Sequence, residues 1–330
     1  MVRNGGFSLI ELLVTTAIMG VVTVYLLDTV TTQHKSYTVI DQVVEVQQSG
    51  RLITELIERD VRHAGFMVPE GAAVCGIDNI NTADVLYLSD ADAIVSGTQT
   101  RPDLGAIIQG GPANISVGTQ LIDVDSVVLE KGATANPFYD SDGNGVPDAD
   151  FNTNAGVIIV DAGNPERGSA CGVVDSVTSA TRLRITLDST PLGPIPVPSN
   201  PVILIAVPAH HYRVDINGQL FRDNIIVSDG VEDLQVAFFF DDNQDNVIDP
   251  GEYRGDGLGP DYVNNAVNAS DIRELRTNVI LRTRLSDTSS REGQFQVTEN
   301  RLFVAGNDGF RRRVYTATTM LRNVGARDML

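Results

Sequence analysis

Phe7-Ser8-Leu9-Ile10-Glu11-Leu12 opens a 21-residue run, FSLIELLVTTAIMGVVTVYLL, that ends at Leu27 and holds one charge, Glu11. At about 1.5 Å of rise per residue this is a helix of roughly 31 Å, enough to cross the hydrocarbon core of a bilayer. Arg3 lies on the short N-terminal side, and no Lys or Arg follows until Lys35. The positive-inside rule therefore leaves the N-terminus in the cytoplasm and exports everything beyond the span. A cleaved secretory signal is the rival reading, but no small-x-small site follows the apolar run. Glu11 is the anomaly. A carboxylate near the bilayer centre costs roughly 2.5–3.5 kcal/mol. It is tolerated at the headgroup level beside a helix N-terminus, or buried and paired with a cation.

Composition agrees with an exported, turn-rich chain. Of 330 residues 42% are apolar and mean hydropathy is near zero, which excludes a largely disordered polymer. Acids outnumber bases 43 to 24, for a net charge of −19, and a polyanion of this kind is repelled by phosphate backbones. Nucleic acid is thus excluded as a partner. Thirty Gly, 14 Pro and no Trp suit short strands joined by many turns. Cys75 and Cys171 fit one disulfide in an oxidising compartment or two inert thiols in a reducing one. Export favours the disulfide.

Beyond the span, helical signals continue to Ala64. Between Asp28 and Ala64 there is no Pro and one Gly, Gly50. Tyr37, Ile40, Val43, Val44, Ile53, Leu56, Ile57 and Val61 recur at the helical period, with Asp41, Glu45, Arg51, Glu55, Glu58 and Arg62 on the other face. Gly65 is placed to end the helix. From Gly65 onward the texture becomes β-like. Strands are expected in ADVLYLSD (83–90), QLIDVDSVVLE (120–130), AGVIIVDA (155–162), TRLRITLD (181–188), PVILIAVPAHHYRVD (201–215), QLFRDNIIV (219–227), DLQVAFFF (233–240), ELRTNVILRTRL (274–285) and RRRVYTATTMLR (311–322). In the eighth, Leu275, Thr277, Val279, Leu281, Thr283 and Leu285 alternate with polar residues, so one face is buried. TPLGPIPVPSNP (190–201) is an extended connector that either divides two sub-domains or edges the sheet.

Basic leader, Gly5-Gly6, Phe7 and Glu11 before an apolar run resemble the type IV prepilin processing site. The resemblance implies that a prepilin peptidase cuts between Gly6 and Phe7 and methylates the new amine. Glu11 then faces the N-terminal amine of a neighbouring subunit. Arg59-Asp60-Val61-Arg62-His63-Ala64-Gly65-Phe66 with Cys75, and Arg313-Val314-Tyr315-Thr316 through Leu321-Arg322-Asn323, resemble the helix end and final strand of PilW-like minor pilins. J-type minor pseudopilins of type II secretion share the same N-terminal logic. The implied fold is α+β: a long N-terminal helix packed on an enlarged antiparallel β-sheet head. Its parts are a leader (1–6), a transmembrane segment (7–27), an amphipathic segment of the same helix (28–65) and a β-rich head (66–330). The implied partners are other major and minor pilins, the prepilin peptidase and the inner membrane. The head would stand in the periplasm before assembly and on an extracellular pilus afterwards.

The chain holds no G-x-S-x-G, H-E-x-x-H or P-loop pattern, so nothing points to an enzyme. His210 and His211 are adjacent in a strand and face opposite ways, a poor metal pair. Arg311-Arg312-Arg313 reads as a solvated strand start rather than a docking patch. Two acidic loops stand apart. Asp140, Asp142, Asn144, Val146, Asp148 and Asp150 form the first, with Gly145 at the turn position of an EF-hand-type calcium loop but Phe151 where its Glu belongs. Asp241, Asn243, Asp245, Val247, Asp249 and Glu252 fill positions 1, 3, 5, 7, 9 and 12 of the second, with Asn246 where Gly is usual. Nine of the 43 acids sit in these two loops, which contain no Lys or Arg. Such clusters repel themselves unless a cation or solvent relieves them, so Ca²⁺ is the expected ligand. A calcium-dependent adhesin displayed on a pilus is accordingly a third reading, beside the minor pilin and the pseudopilin.

Overall fold

The computed structural model describes residues 8–89, 105–109, 115–127, 129, 150–197, 200–245, 247–257, 261–287, 298–301 and 308–324. Helix α1 (Leu9–His63) is unbroken over 55 residues. It is long and apolar enough to cross a membrane, and its most apolar stretch buries nothing against the head. The hydroxyls of Thr15, Thr16, Thr23 and Thr29 each donate to a carbonyl one turn back, which satisfies polar groups that lipid could not. At the far end Ala64 leaves the helical conformation and Gly65 takes φ +83°, the left-handed turn a side chain would resist. Asn323, from beyond the last strand, donates to the Arg62, His63 and Ala64 carbonyls and so caps the helix from outside.

Among the described residues the head carries two antiparallel sheets. The larger contains β1 (Val74–Ile77), β2 (Val85–Leu88), β3 (Ala106–Ile107), β4 (Gly118–Asp123), β5 (Gly156–Asp161), β6 (Ser169–Ser179), β7 (Arg182–Leu187), β8 (Leu204–Val214), β9 (Gln219–Arg222) and β10 (Ile225–Asp229). Its spine runs β1-β2-β8-β5-β6-β7-β4, with β3 and β9 also on β8 and β10 on β9. The smaller runs β12 (Tyr253–Arg254), β11 (Val231–Phe240), β13 (Ile272–Arg282), β14 (Arg312–Met320). Cys75 of β1 and Cys171 of β6 form the expected disulfide, with Cα atoms 6.1 Å apart. Four strand steps of about 4.8 Å separate them along the spine. The large sheet therefore curls back on itself, and its concave side closes one core around Tyr87, Ile158, Val174 and Ile185. A second core lies under α1, where Ile53, Ile57 and Val61 meet Leu234, Val236, Phe238, Leu275 and Val279.

Most strand expectations hold, and the departures have local causes. QLFRDNIIV is two strands, because Asp223 turns at φ +58° and folds β9 back on β10. The connector 190–201 links β7 to β8 within one sheet and divides nothing. Its Asn200 and Gly193 amides bond Asn164 and Arg167, so it edges the sheet. Along β13, Leu275, Thr277, Val279 and Leu281 are buried as the alternation required. Asn278 is buried too, since Glu299 covers that face and accepts from Arg276 and Asn278. Leu285 lies past the strand and is exposed.

Candidate functional site

The seam between helix and head begins later than the apolar stripe does. Tyr37, Ile40 and Val44 stay exposed, whereas Gln42, Val46, Gly50, Ile53, Ile57, Asp60 and Val61 are the buried positions of α1. Among the described residues the first buried position of the helix is Gln42, whose side-chain oxygen accepts from the Leu285 amide at 2.9 Å. Gly50 is buried because the Tyr315 ring lies flat against it: a Cβ there would come within 2.2–2.5 Å of the ring. Tyr315 Oη in turn donates to the Val46 carbonyl at 3.3 Å. At the helix end, buried Asp60 accepts from Tyr212 Oη (2.6 Å) and Arg222 Nε (2.7 Å). That polar lock was not foreseen. Its only signal was an acid on the apolar side of the helix.

At the other end Glu11 accepts from the Ser8 amide at 3.0 Å, an N-terminal brace that suits a carboxylate at a helix start. Gly6 and Phe7 lie outside the described residues.

The second acidic loop joins β11 to β12. Its ends are pinned, Phe240 N donating to the Glu252 carbonyl at 2.7 Å and Phe239 standing opposite Tyr253. Glu252 braces the loop from inside: one oxygen accepts from the Asp242 amide (3.1 Å), the other from the Asp249 amide (2.6 Å). Asp241 is buried, accepts from the Asp245 amide at 3.0 Å, and lies 3.5 Å from Arg273 Nε. Asn243 Nδ2 stands 3.2 Å from Asp245 Oδ2 and 3.4 Å from Asp249 Oδ2, so three expected ligand positions meet at one point. Val247 donates its amide to Asp245 Oδ1. Gln244 (φ +59°) and Gly251 (φ +103°) take left-handed conformations; Asn246 lies outside the described residues. Among the described residues no three His, Cys, Asp or Glu side chains stand assembled around a metal position.

Asp140, Asp142, Asn144, Val146 and Asp148 also lie outside the described residues. Asp150 is buried and accepts from the Leu129 amide at 2.5 Å, beside the core residue Phe151. His210 and His211 do diverge. His210 bonds Asp223 and Arg222, while His211 stacks on Tyr87 with ring centroids 4.7 Å apart. Burial and the neighbouring Arg213 cation push His211 down to about 4. Arg311 pairs with Asp287 and Arg312 with Glu232 and Asp308 at the start of β14; the expected strand start holds, but the Arg312 side chain is 8% exposed and paired rather than solvated.

Two family models match the chain: the type IV pilus-assembly protein W family over residues 212–323, and the prokaryotic N-terminal methylation motif over residues 1–27. No curated protein matches it in sequence. Among solved structures, a type IV-like pilin from Thermus thermophilus aligns at 14% identity, over 52% of this chain and 85% of that one, with a TM-score of 0.25. That likeness is too distant to carry an argument. The methylation motif opens the helix that forms the membrane anchor, and the matched segment 212–323 supplies the small sheet and the strand on which that helix rests. By these matches the chain is similar to PilW-like type IV pilins, with an N-terminal helix long and apolar enough to anchor it in a membrane.

Proposed function

We propose that the protein is a minor subunit of a type IV pilus, acting in pilus assembly, initiation or the tip complex through packing rather than catalysis. The observation that carries this reading is the pairing of a methylation-motif helix with a head whose residues 212–323 match the pilus-assembly protein W family. Prepilin peptidase would cut after Gly6 and methylate Phe7. Export of the head to the periplasm accords with its Cys75–Cys171 disulfide. In a filament the Glu11 carboxylate, which a lone subunit turns on its own Ser8 amide, would pair with the Phe7 amine of a neighbouring pilin. A buried ion pair is destabilising when one partner is removed. Glu11→Ala should therefore insert into the inner membrane normally yet enter filaments poorly. Equal amounts of mutant and wild-type protein in sheared pili would count against the reading. The same anatomy would serve a minor pseudopilin of a type II secretion system, and the filament that retains the subunit distinguishes the two.

We infer further that the β11–β12 loop takes Ca²⁺ through Asp241, Asn243, Asp245, Asp249 and Glu252, with the Val247 carbonyl at position 7 of the loop. What supports this is the ligand spacing on a hairpin whose ends are pinned, with Asn243, Asp245 and Asp249 side chains already meeting. Binding would require Glu252 to exchange its two amide donors, and Asp241 its Arg273 contact, for the ion. An all-oxygen set on a flexible loop favours Ca²⁺ over Mg²⁺. The first loop, from Asp140 to Asp150, repeats part of the spacing and is the weaker candidate. A calcium-braced head would also fit the adhesin reading.

A further inference from the structure

We propose that His210 is a proton-operated latch on the contact between α1 and the head. Its imidazole is fixed on both sides. Nε2 lies 2.9 Å from Arg222 Nη2, and Nδ1 lies 3.0 Å from Asp223 Oδ2. A guanidinium has no acceptor, so Nε2 must accept from Arg222, and the single proton of the neutral ring sits on Nδ1, donated to Asp223. The same Arg222 reaches past His210 to the helix, where its Nε donates to Asp60 Oδ2 at 2.7 Å. Asp60 is 3% exposed, and its remaining partners are Tyr212 Oη at 2.6 Å and the neighbouring Arg59. The chain Asp223–His210–Arg222–Asp60 thus ties the β9–β10 turn to the last turns of α1.

A proton added to Nε2 turns that hydrogen bond into two opposed N–H groups and sets two cations side by side. Asp223, which also accepts from the His211 amide, is the carboxylate bonded to the ring and is already used. Leu88 stands beside His210 on β2, and Tyr212 and Arg59 face Asp60 rather than the imidazole. Arg222 is partly open to solvent and can swing out. Asp60 then keeps Arg59 of its own helix and Tyr212 of β8 but loses its bond to Arg222, and the helix end loosens from the hairpin. A proton on Nε2 therefore opens the latch.

The test uses the full chain in detergent micelles. Both native cysteines are in the disulfide, so spin labels can be placed at Glu55→Cys on the helix and Ile225→Cys on the hairpin. Between pH 8 and 5 the fraction of long label-to-label distances should rise about tenfold or more, the factor carried by one charge-assisted hydrogen bond. His210→Gln offers an acceptor and a donor in similar places without titrating, and should stay closed at both pH values. Arg222→Met should be open at both, and His211→Gln should open with acid as the wild type does. The wild-type His210 nitrogen shifts must titrate with the midpoint of the distance change, a readout independent of any variant. Unchanged wild-type distances, an acid response that survives in His210→Gln, or a mismatch of midpoints would each overturn the proposal.

Discussion

Replacing Gly50 by Ala places a methyl group inside the Tyr315 ring, since the nearest ring carbons would lie 2.2–2.5 Å from the new Cβ. Overpacking of this kind costs about 1–3 kcal/mol when neighbours are held, and Tyr315 is held by its bond to the Val46 carbonyl. Against that, Ala is about 1 kcal/mol better than Gly inside a helix. The net destabilisation expected is roughly 0–2 kcal/mol. In a Tyr315→Ala background the clash is gone, and the same substitution should stabilise by up to about 1 kcal/mol. The coupling between the two sites is therefore about 1–3 kcal/mol, well above the few tenths by which distant sites depart from additivity. Urea unfolding of wild type, both single variants and the double variant, followed by circular dichroism in detergent, measures it. If Gly50→Ala stabilises the protein equally in both backgrounds, Tyr315 does not lie on Gly50 and the helix seats differently on the head.

Other expectations concern the head. Opening the Cys75–Cys171 disulfide should lower stability by as much as about 4–5 kcal/mol, the chain-entropy figure for a loop near 100 residues, and neither thiol should be alkylated in the unreduced, denatured protein. His211 is held below its ordinary value, so the unfolded chain binds a proton that the folded chain refuses between about pH 6.5 and 4. Stability should fall as pH drops through that window, by roughly 3 kcal/mol if the whole shift is realised, and His211→Gln should flatten the profile in pH-dependent unfolding. Calcium at a hundredfold excess over its dissociation constant should stabilise the folded chain by roughly 2.7 kcal/mol, and Asp245→Ala should abolish most of that gain. Identical thermal melts in calcium and in chelator would reduce the loop to an acidic turn.

The anchor helix was legible because a 55-residue element leaves a long periodic record and ends on a glycine that needs a left-handed turn. Strands with β-branched runs, such as GVIIVD of β5, were equally plain. What escaped was set by neighbours rather than by local preference. β6 (SACGVVDSVTS) is rich in Ser, Gly and Asp, residues poor in strands, yet it is clamped between β5 and β7 along its length. The apolar stripe of α1 could not say where the head stops, because exposed Tyr37 and Ile40 carry the same period as buried Ile53 and Ile57. At the acidic loop, spacing named the oxygens but not their occupations. Glu252 as a loop brace and Arg273 against Asp241 both depend on backbone paths that only the fold supplies.

How the mature protein begins decides whether it is processed as a pilin. Pili sheared from cells and resolved by mass spectrometry should contain this chain starting at Phe7, without residues 1–6, and with one methyl group on its N-terminal amine. An unmethylated chain starting at Met1, found in the membrane and absent from filaments of wild-type cells, would contradict it.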